Sequence, residues 1–195
     1  MNILFLYNNG IVLDLADWIK SKGHSVVLCN KKIDSNYFAD CSFDLAISYS
    51  YSYILPAEII NILNGNIINM HISYLPWNRG GNPNQWSLID KTPPGVTIHY
   101  MNEKLDKGRI IAQSIVQFDE NETLSSSYSK LHIEMKSLFQ KIFPYYSFWR
   151  EMSFLPSSKG TYHSTADFKK YKNLITSWDM PVKDFLCLVN GTKED

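Results

Sequence analysis

The stretch Asn66-Ile67-Ile68-Asn69-Met70-His71-Ile72-Ser73-Tyr74-Leu75-Pro76-Trp77-Asn78-Arg79-Gly80 decides how the fold is read. Its first six residues are a short, largely apolar run that follows the turn signal Asn64-Gly65, which predicts a strand. On a strand, residues i and i+2 point to the same side, so Asn69 and His71 project together at its carboxyl end. In open α/β sheets that edge is where ligands bind. The two polar side chains could equally cap the loop that follows, and spacing alone does not separate these readings.

Upstream of this strand the chain alternates. Ile3 to Tyr7 is an apolar run, followed by the turn Asn8-Asn9-Gly10. Ile11 to Lys20 carries Ile11, Leu15, Trp18 and Ile19 at helical spacing, and Gly23 supplies a stop. Ser25 to Cys29 and Asp44 to Ser48 read as strands, and Pro56 to Leu63 as a helix. Strands alternating with helices over short connections imply a mostly parallel sheet with helices on both faces, an α/β Rossmann-like fold.

Downstream the pattern changes. Ser73 to Asn84 is rich in Pro, Gly and Asn and reads as a long structured loop, with a short helix starting near Gln85. Val96 to Met101 and Arg109 to Phe118 read as two added strands, with antiparallel pairing expected. Glu122 to about Trp149 is a helical stretch with Thr123 as N-cap. Its apolar stripe is Leu124, Tyr128, Leu131, Met135, Leu138 and Ile142, and Pro144 kinks or ends it. The tail from Ser157 shows periodicity only around Val182 to Leu188. A single domain over 1–195 is expected, with a catalytic core over about 1–120 and a C-terminal helix and tail over about 121–195.

Composition narrows the classes. A hydrophobic fraction of 45% with 19% charged residues is that of a globular chain. Lys+Arg and Asp+Glu balance at 19 each, which argues against a nucleic-acid partner held by bulk charge. No apolar run reaches bilayer length and the N-terminus lacks a basic signal-peptide flank, so a cytoplasmic location without a membrane partner is expected. The three cysteines, Cys29, Cys41 and Cys187, have no metal-ligand spacing and read as free thiols; no metal is expected. His24 and His132 read as surface residues, and His99, inside a strand, as structural.

Asp106 adds to the pair on the strand. It lies in Asn102-Glu103-Lys104-Leu105-Asp106-Lys107-Gly108, between the two added strands. A turn Asp that stabilises its own backbone is common. Yet Asn, His and Asp together suit acyl transfer. An amide or an imidazolium can donate to a tetrahedral oxyanion, a neutral imidazole can take a proton from an amine, and a carboxylate can orient the ring. No Ser or Cys sits in a nucleophile-elbow context, so direct transfer fits better than a covalent enzyme intermediate.

The ordered set Asn69-x-His71-x-Ser73-x-Leu75-Pro76-x-x-Arg79-Gly80, Pro83, Trp86, Gly95-Val96-Thr97-Ile98-His99 and Leu105-Asp106-x-Gly108-x-Ile110-Ile111-x-Gln113 resembles the signature of the folate-dependent formyltransferases. The resemblance implies a catalytic triad of Asn69, His71 and Asp106. It implies 10-formyltetrahydrofolate as donor co-substrate and a primary amine as acceptor. Ser50 to Pro56 resembles the family's pterin-wrapping loop, which implies Tyr53, Ile54, Leu55, Met101 and Leu105 as cofactor neighbours. Trp77, Arg79, Asn82 and Trp86 are the corresponding substrate-side candidates, with Arg79 able either to hold acidic groups or to brace its loop.

Departures from the longer family members point to the acceptor. Asn8-Asn9-Gly10 lacks the serine of a phosphate loop, which turns the reading away from a purine-ribonucleotide acceptor. A methionyl-tRNA enzyme is expected to carry a β-barrel domain after the catalytic one, and a chain without it is expected here, which turns the reading away from tRNA. Gly160-Thr161-Tyr162-His163 through Leu174 resembles the ending of short nucleotide-sugar N-formyltransferases and of the gramicidin synthetase formylation domain. The implied acceptor is therefore a UDP- or dTDP-linked amino sugar. UDP-4-amino-4,6-dideoxy-N-acetyl-altrosamine, a pseudaminic-acid precursor used in bacterial surface glycans, is one candidate. A carrier-bound amino acid, another amine such as methionyl-tRNA, hydrolysis of the donor, and a non-catalytic folate-binding or regulatory module are the alternatives. Trp77, Trp86 and Tyr162 are open candidates for stacking on the base. The oligomeric state is open, with a dimer as one arrangement.

Overall fold

The apolar run at the N-terminus forms an interior strand of a sheet in the computed structural model, which describes residues 1–192. Strand β1 (Asn2–Leu6) has Ile3, Leu4, Phe5 and Leu6 at 0% exposure. Such unbroken burial marks a parallel strand covered on both faces. Its neighbours are β2 (Ser25–Cys29) and β3 (Leu45–Tyr49), both parallel to it, and β3 pairs in parallel with β4 (Ile67–His71). Strand β6 (Gly95–Tyr100) and β7 (Ile110–Ile115) complete a six-stranded sheet in the order β2-β1-β3-β4-β6-β7. The chain steps from β1 outward to β2 and then back across β1 to β3. That reversal is the switch point at which such sheets bind ligands, beyond the carboxyl ends of β1 and β3.

The helices follow their capping and apolar signals. Helix α1 (Leu13–Ser21) buries Leu15, Ala16 and Ile19. A short 3-10 turn, Gly10–Val12, precedes it because Asn9 accepts the Ile11 N–H and so fixes the entry. Helix α2 (Ala57–Ile62) leads into β4. A two-residue strand β5 (Arg79–Gly80) interrupts the expected loop, and α3 (Pro83–Ile89) begins with proline in its first turn, where a missing N–H costs nothing. Helix α4 (Leu124–Ile142) has a reciprocal capping box between Thr123 and Ser126. It buries Leu124, Ser127, Leu131, His132, Met135 and Phe139, so the stripe is rotated slightly from the sequence reading, and it stops just before Pro144. A 3-10 segment and the short α5 (Trp149–Met152) follow. The tail holds more structure than its periodicity showed: β8 (Tyr162–His163), α6 (Lys169–Lys172) and α7 (Val182–Gly191).

Two compact units are built from interleaved segments. One comprises residues 1–71, 98–112 and 145–155; the other comprises 72–97, 113–144 and 156 onward. The division at about residue 120 read from the sequence does not coincide with these units. The first has a core around Leu4, Leu6, Ala46, Leu55, Ile59 and Ile67. The second has its own around Trp86, Leu124, Phe168, Tyr171, Phe185 and Val189. Among the described residues no helix is long and apolar enough to cross a membrane.

Candidate active site

Asn69 and His71 stand on β4, whose register sets Ser48 of β3 opposite Asn69. Met70 between them turns to the opposite face and is buried. Asp106 reaches the pair from the loop between β6 and β7. Its φ is 50°, in the left-handed region that Asp tolerates better than most residues but still at a conformational cost. Two residues on, a β-carbon at Gly108 would lie 1.6 Å from the Tyr100 carbonyl oxygen. Only glycine lets the chain turn back so close to β6 after presenting Asp106.

The result is a buried polar centre. His71, Asp106 and His99 are 7%, 9% and 1% exposed. Asn69 Nδ2 donates to Asp106 Oδ1 at 3.1 Å and faces His99 Nε2 at 3.4 Å. His99 Nδ1 lies 2.8 Å from the Tyr100 carbonyl. The tautomer that satisfies both ring nitrogens has the proton on Nδ1, donated to that carbonyl, and leaves Nε2 to accept from Asn69. Both Nδ2 hydrogens of Asn69 are then committed, one to Asp106 and one to His99. On the other side, Asp106 Oδ2 lies 3.8 Å from His71 Nδ1, inside ion-pair range but beyond a hydrogen bond. His99, read from the sequence as structural, is thus the fourth member of the cluster. Its signal was present: on β6 it lies two residues from Thr97, a second polar group in an apolar strand.

The loop after β3 lies at the switch point. Asn8 fixes it: its N–H donates to the Ser50 carbonyl at 2.9 Å, and its Oδ1 accepts the Ser52 N–H at 2.7 Å. Tyr51 donates its hydroxyl to the Lys31 carbonyl at 2.7 Å, and burial pushes its ionisation up to about 12, so it stays a phenol. Leu55 is buried, and Met101 and Tyr51 pack on the same core cluster. Tyr53, Ile54 and Leu105 are 41%, 79% and 46% exposed. Three exposed apolar side chains on loops anchored to one cluster fit a flat, largely apolar ligand that would cover them.

The substrate-side candidates lie in the second unit, and the structure gives each a position. Arg79 is buried at 8% exposure. It donates through Nε to the Thr161 carbonyl at 3.1 Å and through Nη2 to the Lys159 carbonyl at 3.2 Å, which is a bracing arrangement. Trp86 does not present a face to a ligand. It is 6% exposed, His163 stacks on it with centroids 3.8 Å apart and 5° between planes, and Phe168 and Tyr171 meet it edge-on. Sequence alone offered nothing to pair Trp86 with a residue so far along the chain. Asn82 takes a left-handed backbone, φ 55°, as the residue before α3. Trp77 is half-buried, with its N–H donated to the Tyr74 carbonyl at 3.2 Å. His132, read as a surface residue, is 1% exposed against Tyr128. His24 is half-buried and lies 3.1 Å from the N-terminal amine.

Among the described residues no group of three or more His, Cys, Asp or Glu side chains could hold a metal ion. A mostly parallel sheet with a buried Asn–His–Asp cluster at its carboxyl edge defines a class, the Rossmann-like α/β proteins. Comparison narrows the class. The formyl transferase family model matches residues 18–142, and the chain belongs to that family. The crystal structure of the formyltransferase PseJ from Anoxybacillus kamchatkensis, in complex with UDP-4,6-dideoxy-4-formamido-L-AltNAc and tetrahydrofolate, superposes with a TM-score of 0.84. It is 36% identical and the match covers 95% of this chain and 97% of that one. A 4-N formyltransferase from Francisella tularensis superposes with a TM-score of 0.75 at 25% identity, covering 95% of this chain and 86% of the other. A methionyl-tRNA formyltransferase from Staphylococcus aureus is 34% identical over 102 residues, 52% of this chain. This chain spans about a third (33%) of the length of such curated relatives.

Proposed function

We propose that this protein transfers a formyl group from 10-formyltetrahydrofolate to the amine of a UDP-linked amino sugar. The observation that carries the reading is the near full-length likeness to PseJ, whose crystal structure holds a UDP-linked formamido sugar with tetrahydrofolate. The exposed Tyr53, Ile54 and Leu105, with Met101 and Leu55 beneath, would cradle the donor's pterin. The donor supplies the formyl carbon, and the residues around it manage protons and charge.

In this mechanism the amine nitrogen forms the new bond to the formyl carbon. The bond from that carbon to the donor nitrogen breaks, and one proton passes from the amine to the departing nitrogen. His71 is the proton carrier, with the Asp106 carboxylate 3.8 Å from its Nδ1. As an imidazolium it donates to the oxyanion, which a preorganised buried donor stabilises more than water would. Asn69 has its Nδ2 hydrogens held by Asp106 and His99, which orients the amide and turns Oδ1 toward an incoming amine N–H. Asp106 thereby orients Asn69 and places its charge beside His71.

The test is an assay of the chain with 10-formyltetrahydrofolate and UDP-4-amino-4,6-dideoxy-N-acetyl-altrosamine, read by the mass gain of one formyl group. Tetrahydrofolate release without a formylated sugar would point to hydrolysis, and no turnover with any amine to a binding module. A second reading, a tRNA-linked amino acid as acceptor, draws on the Staphylococcus aureus relative. The balanced charge of the chain gives it little to hold RNA with.

A further inference from the structure

We infer that the cavity between Arg109 and Arg150 is a binding site for a small dianionic ligand, a phosphomonoester or a dicarboxylate. The cavity lies wholly within the first unit and has a volume of about 390 Å³. Gly65, Tyr100, Asn102 and Gly108 line it together with the two arginines. A volume of that size is ordinary for a small-molecule site. The cavity is not the cradle proposed for the pterin. Met101 borders it but packs on the core cluster with Leu55, and Tyr53, Ile54, Leu55 and Leu105 do not line it.

A lone surface arginine would carry no argument. Here two exposed arginines line one cavity, and neutral groups pin both. Arg150 Nη2 donates to the Asn64 carbonyl at 3.1 Å and to Asn66 Oδ1 at 2.8 Å, and its guanidinium carbon lies 4.9 Å from the centroid of the Tyr100 ring. Arg109 donates through Nε to Ser153 Oγ at 2.9 Å and through Nη2 to the Ser153 carbonyl. Ser153 is itself buried. Next to it, Phe154 exchanges two backbone hydrogen bonds with Ile110, of 2.7 and 2.9 Å, which fasten this segment to β7.

These partners orient the guanidinium groups without neutralising them. None is a carboxylate, and no Asp or Glu lines the cavity. Burial pushes the ionisation of the Tyr100 phenol up, outweighing the pull of Arg150, so the ring stays neutral and supplies no counter-charge. Among the described residues the remaining donors, Nε and Nη1 of Arg150 and Nη1 of Arg109, meet no acceptor. Two like charges facing one cavity repel each other, and a ligand with two negative charges relieves that repulsion. A planar fork held in place beforehand pairs with phosphate or carboxylate at little loss of freedom. Asn102 leaves its amide N–H groups for the same ligand, because its Oδ1 is taken by the Lys104 N–H at 2.9 Å. Asn102, Gly108 and Arg109 flank Asp106, so the ligand rests on the root of the loop that presents it. The inference holds whichever amine accepts the formyl group.

Calorimetry on the protein tests it with two probes, inorganic phosphate and succinate, and with circular dichroism as the control for folding. Wild type should bind at least one of them, and the tighter one separates a phosphorylated ligand from a dicarboxylate. Arg150→Gln should weaken that probe at least about tenfold, and Arg150→Lys, which keeps the charge but loses the fork, by less. Asn102→Asp keeps the acceptor for the Lys104 N–H and spares the bonds of both arginines while adding a carboxylate to the cavity. It too should weaken the probe at least about tenfold. Binding of neither probe to wild type at about 10 mM overturns the inference. A probe that binds Arg150→Gln and Asn102→Asp as it binds wild type sits elsewhere, which also overturns it. Should Arg150→Gln fail to fold, Asn102→Asp decides alone, with undiminished binding counting against the site.

Discussion

Two histidine–carboxylate groupings in this molecule look alike on paper and differ in geometry. His71 and His99 lie 3.8 and 3.5 Å from Asp106, in a buried cluster. His163 lies 2.7 Å from Asp90, its imidazole flat on Trp86. The short pair is within hydrogen-bond distance, and with the ring stacked on Trp86 it holds β8 to the second unit's core. The long pair is buried, with Asp106 Oδ2 3.8 Å from His71 Nδ1. On the proposed mechanism His71 changes partners during a turnover, whereas His163 keeps its partner.

The sharpest way to break this contrast is at Asp106. Asp106→Asn, or His71→Ala, should lower kcat/KM by about a thousandfold or more, with the fold retained by circular dichroism. Retained turnover in a folded variant would remove the distinction between the pairs. Gly108→Ala attacks the same site through the backbone. With no space for a β-carbon beside the Tyr100 carbonyl, it should cost about 3 kcal/mol or more of stability, read from denaturant midpoints. His99→Ala should cost about 10- to 100-fold in kcat while KM for the donor moves little. His99→Gln, which can still accept from Asn69, should recover part of that loss.

A tight carboxylate elsewhere supplies the pH test. Burial alone would push the Glu122 carboxyl up, but hydrogen bonds from Lys130, Ser126 and the Asp119 N–H outweigh it and hold it down to about 2. Because the folded value lies below the unfolded one, its stabilisation is full above about pH 4.5 and fades as pH falls toward 2. Glu122→Gln should flatten that acid limb and lose about 1–2 kcal/mol at neutral pH, discounted for the exposed Lys130. The smallest effect is expected at the short histidine pair. Asp90→Asn should lower stability by about 1 kcal/mol, a melting shift of about 3 °C.

The sequence was most legible where the signal was local. Ile3 to Tyr7 and Asn66 to His71 announced buried strands, and Thr123 announced the start of α4, because apolar runs and caps are written within a few neighbours. Asn69, His71 and Asp106 were found by order and context, and the structure brings them together. What was not legible depends on partners far along the chain. Strands β5 and β8 have two residues each, too few for any periodicity, and exist because each supplies the other's hydrogen bonds. His99 became part of the site only when Asn69 was found against it. Trp86 looked like a ligand contact until His163 was found lying on it.

Helix α4 carries one further consequence. Besides its capping box, its first turn donates Leu124 N–H to Met180 O at 3.1 Å and Ser125 N–H to Trp178 O at 2.7 Å, while Val182 N–H returns to Glu122 O at 2.8 Å. The start of this long helix is therefore sealed by backbone that the ribosome makes much later. During synthesis the second unit cannot close until residues 178–182 have emerged. A chain cut just before Trp178 would leave amide groups of α4 open to water and the second unit's core without α7.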